Sequence, residues 1–263
     1  MVGSADLEAN LGTEDKTKEI DGRVIIQGKP LSKLFKFLTV LFTIFLAVWL
    51  VSITFTILKA PFMTAFWAER TVDAEASPLS KDELVDNALV GLAFVAGDRN
   101  AVMPVGDDET ISYPPDVVSH MQDVRTVFEG LRIFTLFTSL ILIFLFVLLV
   151  YRRAYRQLGT ALLVGGISTF ILCLVVAAIG YLNFDALFAW LHSLFFAEGS
   201  WTFSADSLLI CTYPLQFWID MGASWAIMLA TACLLSVVAG IILRIKRRKT
   251  SSARTLFSAP FSP

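Results

Sequence analysis

Apolar residues along this chain gather into four long runs, separated by polar stretches of very unequal length. A helix needs roughly 20 residues with few charges to cross a hydrocarbon core. The runs at about 37–58, 133–151, 158–183 and 221–243 meet that requirement, and basic residues bracket the first two: Lys36 and Lys59, then Arg132 and Arg152. The pattern predicts an all-α polytopic membrane protein with four transmembrane helices and two structured loops, about 59–132 and 184–220. A polar arm over 1–33 has no sustained periodicity and reads as disordered. A Ser- and Pro-containing tail over 250–263 reads as loose.

The loops carry finer signals. Ser80-Lys81-Asp82-Glu83 matches a capping box, with Leu84, Ala88, Leu92 and Val95 following at helical spacing, so a helix is predicted over about 80–96. Gly106-Asp107-Asp108 between two β-prone runs suggests a small hairpin over 101–113. Val117, Met121, Val124, Phe128 and Leu131 form a helical stripe that leads into the second span. Asp185–Phe196 is apolar on nearly every side yet too short to span, which predicts an interfacial or re-entrant segment. Glu198–Trp201 reads as a turn, and Asp206 as a residue that caps or turns the backbone.

Charge changes the picture from spans to orientation. Lys16, Lys18, Arg23, Lys29, Lys33 and Lys36 precede the first span; Arg152, Arg153 and Arg156 link the second and third. Arg244, Lys246, Arg247, Arg248, Lys249 and Arg254 follow the fourth. These make up 15 of the 21 Lys and Arg residues, and 184–220 contains none. Basic residues concentrate on the cytoplasmic side, so both termini are expected inside and both acidic loops exported. The overall charge of -2 hides this asymmetry and gives no reason to expect a nucleic-acid partner. The arm ahead of the first span, and that span's length, predict a retained signal anchor instead of a cleaved leader. Trp67, Trp190, Trp201, Trp218 and Trp225 fall at or near the exported interface, where amphipathic rings prefer to sit. Cys173 and Cys233 lie in spans and only Cys211 in a loop, so no disulfide framework is expected.

The chemistry narrows to two side chains. His120 and His192 are the only histidines, one in each loop, and histidine exchanges protons near neutral pH. Asp116 and Asp123, at i−4 and i+3 from His120, share its helical face, an arrangement expected to raise its basicity. One reading makes the pair a general acid/base couple at the membrane surface, acting on a lipid-like ester or amide. The other gives each histidine an independent structural role. A third would have His120, Asp123 and His192 ligate a metal, without a two-His or Cys-pair motif in support. Arg125 and Arg132 read as interfacial anchors that could meet lipid phosphates.

The residues around the histidines resemble a known family. His120, Met121, Asp123, Val124 and Arg125 precede a span. Phe188, His192, Phe195, Phe196, Trp201, Phe203, Asp206, Ser207, Pro214, Phe217 and Trp218 follow in the second loop. Together with the four-span layout they resemble, over about 35–245, the bacterial integral membrane family that includes lipoprotein intramolecular transacylases. The resemblance implies transfer of the sn-2 acyl chain of a diacylglyceryl-cysteine lipoprotein onto its own N-terminal amine. His120 and His192 would be catalytic, with Asp116, Asp123, Arg125 and Asp206 in support. Phe188, Phe195, Phe196, Trp201 and Trp218 would form a floor for the acyl chains. It implies no cofactor, a diacylated lipoprotein and membrane lipid as partners, and a bacterial cell membrane location. The alternative is a non-catalytic protein that binds lipid or lipoprotein through the same loops.

Overall fold

The structure, a computed structural model, describes the backbone at 17–20, 23–26 and 33–257, and side chains from 33 to 245. The chain divides into a unit of residues Met1–Phe37 and a larger one of Leu38–Pro263. In the first, strands β1 (Thr17–Ile20) and β2 (Arg23–Ile26) pair antiparallel, with Thr17 opposite Ile26. The arm is therefore not uniformly disordered. Asp21-Gly22 lies between the strands in the sequence, and Asp-Gly is among the strongest hairpin signals. The rest of the arm and residues 258–263 lie outside the described residues.

Among the described residues four helices are long and apolar enough to cross a membrane: α1 (Lys33–Leu58), α4 (Pro115–Tyr151), α5 (Tyr155–Leu182) and the first part of α8 (Leu215–Phe257). Between them lie α2 (Pro61–Thr71), α3 (Lys81–Val95), α6 (Phe184–Phe195) and the short α7 (Leu208–Thr212). If each long helix crosses once, α2, α3, α6 and α7 share one side of the membrane. α8 continues without a break into the tail expected to be loose, because 244–257 contains no Gly or Pro and consists largely of helix-tolerant residues.

α5 and α8 pack backbone to backbone through small residues at seven-residue spacing. Gly159 faces Gly240, Gly166 faces Cys233, and Cys173 faces Ala226, an antiparallel register carried by three layers. A Cβ on Gly240 would lie 2.7 Å from the Gly159 carbonyl oxygen and 2.8 Å from the Leu163 nitrogen. Ser236 Oγ donates to the Leu162 carbonyl at 2.9 Å across the same seam. With no solvent to expel between lipid-embedded helices, close approach and such bonds supply the association.

A polar-centred layer sits on the loop side. The predicted capping box is present at the start of α3: Ser80 N donates to Glu83 Oε2 at 2.8 Å, and Glu83 N to Ser80 Oγ at 3.4 Å. Leu84, Val95, Met103, Tyr113, Val117, Met121, Leu208, Leu209 and Cys211 form its apolar core. Inside, Asn87 Nδ2 donates to Tyr113 Oη at 2.6 Å and to Thr212 Oγ1 at 2.8 Å, while Tyr213 Oη donates to the Ala88 carbonyl at 2.7 Å. The hairpin expected over 101–113 is instead a closed loop. Tyr113 N donates to the Pro104 carbonyl, and Asp108 captures the donors of Thr110, Ile111 and Ser112 that a strand ladder would need.

Gly240→Ala should force the α5–α8 backbones apart and lower stability by about 1–3 kcal/mol. Gly130→Ala, where an added Cβ meets nothing within 4 Å, should be neutral or stabilising by up to about 1 kcal/mol. Thermal unfolding of the two purified variants in detergent checks the contrast; equal Tm shifts would be inconsistent with this packing.

Candidate active site

His120 lies near the start of α4, between Val117 and Met121, which are both buried in the loop-side core. Their docking sets the rotation of the helix, and it turns His120 inward, leaving it 8% exposed. The first turns of α4 also carry Asp116, Gln122, Asp123, Arg125, Glu129 and Arg132, so the membrane-crossing part begins after Arg132. His192 is in the last turn of α6. Asn183 starts that helix by accepting a hydrogen bond from Ala186 N at 3.0 Å.

These two histidines, 72 positions apart in the chain, meet in space. Their ring centroids are 6.4 Å apart and the planes are 20° from parallel. Phe196 bridges them, 4.9 Å from His120 and 5.4 Å from His192. Phe203 lies 5.5 Å from His120, while Phe188 and Trp201 lie 4.0 and 5.0 Å from His192. Trp218 joins the floor through Phe188 at 5.8 Å, and its indole N–H donates to the Tyr213 carbonyl at 3.1 Å. Phe203 belongs to the family-like block of the second loop but was not among the residues expected to form the floor. Its two-residue offset from Trp201 in a non-helical segment, which allows both rings to face one side, was the available signal.

The histidines differ in their hydrogen bonds. His192 Nδ1 is 2.9 Å from the Phe188 carbonyl oxygen. A carbonyl only accepts, so Nδ1 carries the proton in the neutral ring and Nε2 keeps its lone pair. Among the described residues the buried His120 Nδ1 has no hydrogen-bond partner, and the same holds for Trp201 Nε1. Burial, followed by proximity to His192, pushes the His120 pKa down to about 4, with Asp123 opposing. His192 is also lowered by burial, against the upward pull of its bond to Phe188. Both rings are therefore neutral at pH 7.

That outcome corrects the expected rise in His120 basicity. Asp116 and Asp123 are exposed and neither hydrogen bonds His120, so water screens them while burial acts in full. Arg125 is turned elsewhere, with Nε 3.4 Å from Glu129 Oε1 and its guanidinium 5.6 Å from the Phe94 ring. Asp206 is exposed and lies in the turn ahead of α7, which Ser207 N closes on the Ser204 carbonyl at 3.1 Å, while Ser207 caps the helix, accepting from Ile210 N. Phe195 is 59% exposed and reaches the cluster only through Phe196. Among the described residues no three His, Cys, Asp or Glu side chains converge, so His120, Asp123 and His192 do not assemble a metal site.

Comparison with known proteins follows the same lines. A model of the family "Lipoprotein intramolecular transacylase Lit" matches residues 38–218. No curated protein sequence matches the chain. The solved structure of the membrane-integral lipoprotein intramolecular transacylase Lit from Bacillus cereus is similar, with 17% identity and a TM-score of 0.69 over 82% of this chain and 98% of that one. A histidine-to-arginine variant of the Bacillus cereus protein gives 16% identity and a TM-score of 0.64, covering 82% of this chain and 95% of that one. The fold is thus shared with solved membrane proteins, and the family match takes in three of the four spans, both histidines and all of the aromatic floor. The chain belongs to the lipoprotein intramolecular transacylase (Lit) family and is a multi-pass membrane acyltransferase.

Proposed function

We propose that this protein moves the sn-2 acyl chain of a diacylglyceryl-cysteine lipoprotein onto the α-amine of the same cysteine, using His192 as base and His120 as hydrogen-bond donor. The observation that carries the reading is the meeting of the two histidines, 6.4 Å apart with nearly parallel rings in an aromatic recess. The unprotonated amine attacks the sn-2 carbonyl carbon, and His192 Nε2 takes the proton that the nitrogen sheds. The neutral His120 ring donates an N–H to the oxyanion. As the tetrahedral intermediate collapses, the C–O bond to glycerol breaks and the proton held by His192 passes to the departing oxygen. The products are one amide and one free glycerol hydroxyl within the same molecule, so no water or second donor enters.

Several features support these roles. The Phe188 carbonyl holds His192 in the tautomer whose Nε2 can accept a proton. Burial keeps both rings unprotonated at neutral pH, as a base and a neutral donor require. Among the described residues His120 Nδ1 and Trp201 Nε1 have no partner, as befits groups that gain one from substrate. The outward face of α6 leaves Trp190, Leu191, Leu194 and Phe195 exposed, an apolar surface that suits a catalyst whose substrate is anchored in the bilayer. Holding donor and acceptor in one molecule supplies the proximity that a bimolecular transfer lacks. The distribution of Lys and Arg supports exported loops and cytoplasmic termini, with the histidine recess at the outer surface of a bacterial cell membrane.

His120→Ala and His192→Ala should each slow transfer by about 10²- to 10⁴-fold without loss of membrane insertion. Mass spectrometry of lipoprotein N-terminal peptides reads this directly, and undiminished N-acyl lyso-product from either variant would exclude the pair. With both imidazole pKa values lowered, kcat/KM should rise with pH through about 8, following the substrate's α-amine, with no inflection between about 6.5 and 7.5. A histidine-like inflection in that range would argue against neutral, buried rings. Orientation is open to thiol labelling in intact cells. Cys211 is unsuitable because it is fully buried, as are Cys173 and Cys233. An impermeant maleimide should instead label Asp107→Cys and leave Arg153→Cys unmodified; the reverse pattern would invert the topology.

A further inference from the structure

The seam between α1 and α4 combines two features that the histidine recess does not use. At its loop-side end, Lys59 follows α1 directly and its Nζ sits 4.4 Å from the centroid of the Phe128 ring on α4. Phe55, one turn before Lys59, meets the same ring edge-on at 6.1 Å. Arg132, one turn after Phe128, lies on the same α4 face. Neither Lys59 nor Arg132 has a carboxylate or hydrogen-bond partner among the described residues. The one ion pair described there is Arg125 with Glu129. Two neighbouring cations thus stand at the loop-side end of the seam without a counter-charge among the described residues, and Arg132 depresses the Lys59 pKa, after burial.

Deeper in the same seam is an apolar groove of about 250 Å³, lined by Phe42, Leu46, Trp49, Leu142, Ile143 and Phe146. Ser139 also lines it but shows it no free polarity. Its hydroxyl accepts from Trp49 Nε1 at 2.7 Å and donates to the Thr135 carbonyl at 2.6 Å. At 1.5 Å per residue, the groove runs from about 10 Å (Ser139) to about 21 Å (Phe146) below Arg132, and from about 15 Å (Trp49) to about 25 Å (Phe42) below Lys59. With a hydrocarbon core about 30 Å thick one leaflet reaches about 15 Å, so the groove begins at the depth of the distal half of a chain whose phosphate meets the cations. A single apolar chain, not a second copy of this protein, suits a groove that begins about 10–15 Å below an unpaired cationic head site.

We infer that the α1–α4 seam binds one anionic phospholipid from the loop-side leaflet, its phosphate between Lys59 and Arg132 and one acyl chain in the groove. The lipid is a bound partner distinct from the lipoprotein, because a diacylglyceryl-cysteine carries no phosphate. It would hold α1, whose backbone packs far less closely on the bundle than α5 does on α8. Each cation near a lipid surface contributes on the order of 1 kcal/mol, or about fivefold in affinity.

The experiment measures binding of palmitoyl-oleoyl phosphatidylglycerol to the full-length purified protein, by native mass spectrometry and by its effect on Tm in detergent. One retained lipid is expected, with affinity about fivefold weaker in Lys59→Gln and in Arg132→Gln and unchanged in Arg152→Gln at the far end of α4. Phosphatidylcholine should bind more weakly, and dihexanoyl phosphatidylglycerol should lose most of the affinity because its chains do not reach the groove. Arg132 is exposed, so its variant keeps the test meaningful even if Lys59→Gln fails to fold. Equal retention by wild type and Arg132→Gln, an equal loss in Arg152→Gln, or equal binding of the short-chain lipid would each overturn the inference. So would a dimer that forms without lipid and occludes the seam.

Discussion

The close antiparallel register of α5 on α8 is the contact from which the rest of the arrangement hangs. Gly240 and Gly159 bring the two backbones so near that an added methylene would strike main-chain atoms, which cannot rotate away. That leaves little room for sliding, and it places the loop-side ends of both helices. α6 leaves α5 through Asn183 and rests on α8 through the Phe188–Trp218 contact. Immediately before α8, Tyr213 reaches across to α3, and α3 packs against the part of α4 that carries His120. One rigid seam in the membrane thereby sets where both imidazoles can be.

The second constraint is desolvation. His120 and His192 sit among rings, and removing water costs the charged form of an imidazole more than the neutral one. Exposed Asp123 acts across a screened path and cannot compensate. The recess therefore holds two neutral, differently bonded imidazoles. His192 is tied to its own helix through Nδ1, and His120 has an Nδ1 with nothing to bond. Unlike hydrogen bonding in otherwise similar rings is what allows one to accept a proton while the other donates a hydrogen bond.

Much of this was legible in the chain. Period and length marked four spans, the Ser80/Glu83 pair marked the start of α3, and the apolar stripe of Val117, Met121 and Phe128 marked a helix continuous with the second span. The short apolar stretch after the third span was recognised as too short to cross and is the helix α6. The errors share one cause. The β-prone run before Tyr113 and the carboxylates flanking His120 were judged by neighbours in sequence. Asp108 and burial decided them instead. The small residues at seven-residue spacing along α5 and α8 drew no reading from the sequence, because those of one helix acquire meaning only opposite another's.

The sequence by itself determined the number of spans, the two-loop layout and the identity of the two titratable groups, because hydropathy and residue chemistry are local properties. It also carried enough of the His- and aromatic-centred blocks to indicate the family. Only the tertiary structure decided that His120 and His192 meet, that Phe196 and Phe203 lie between and beside them, and that Arg125 and Asp206 stand apart. Those outcomes depend on helix rotation and on the α5–α8 register. Both are set by contacts between residues far apart in the chain, whose pairing no local pattern encodes.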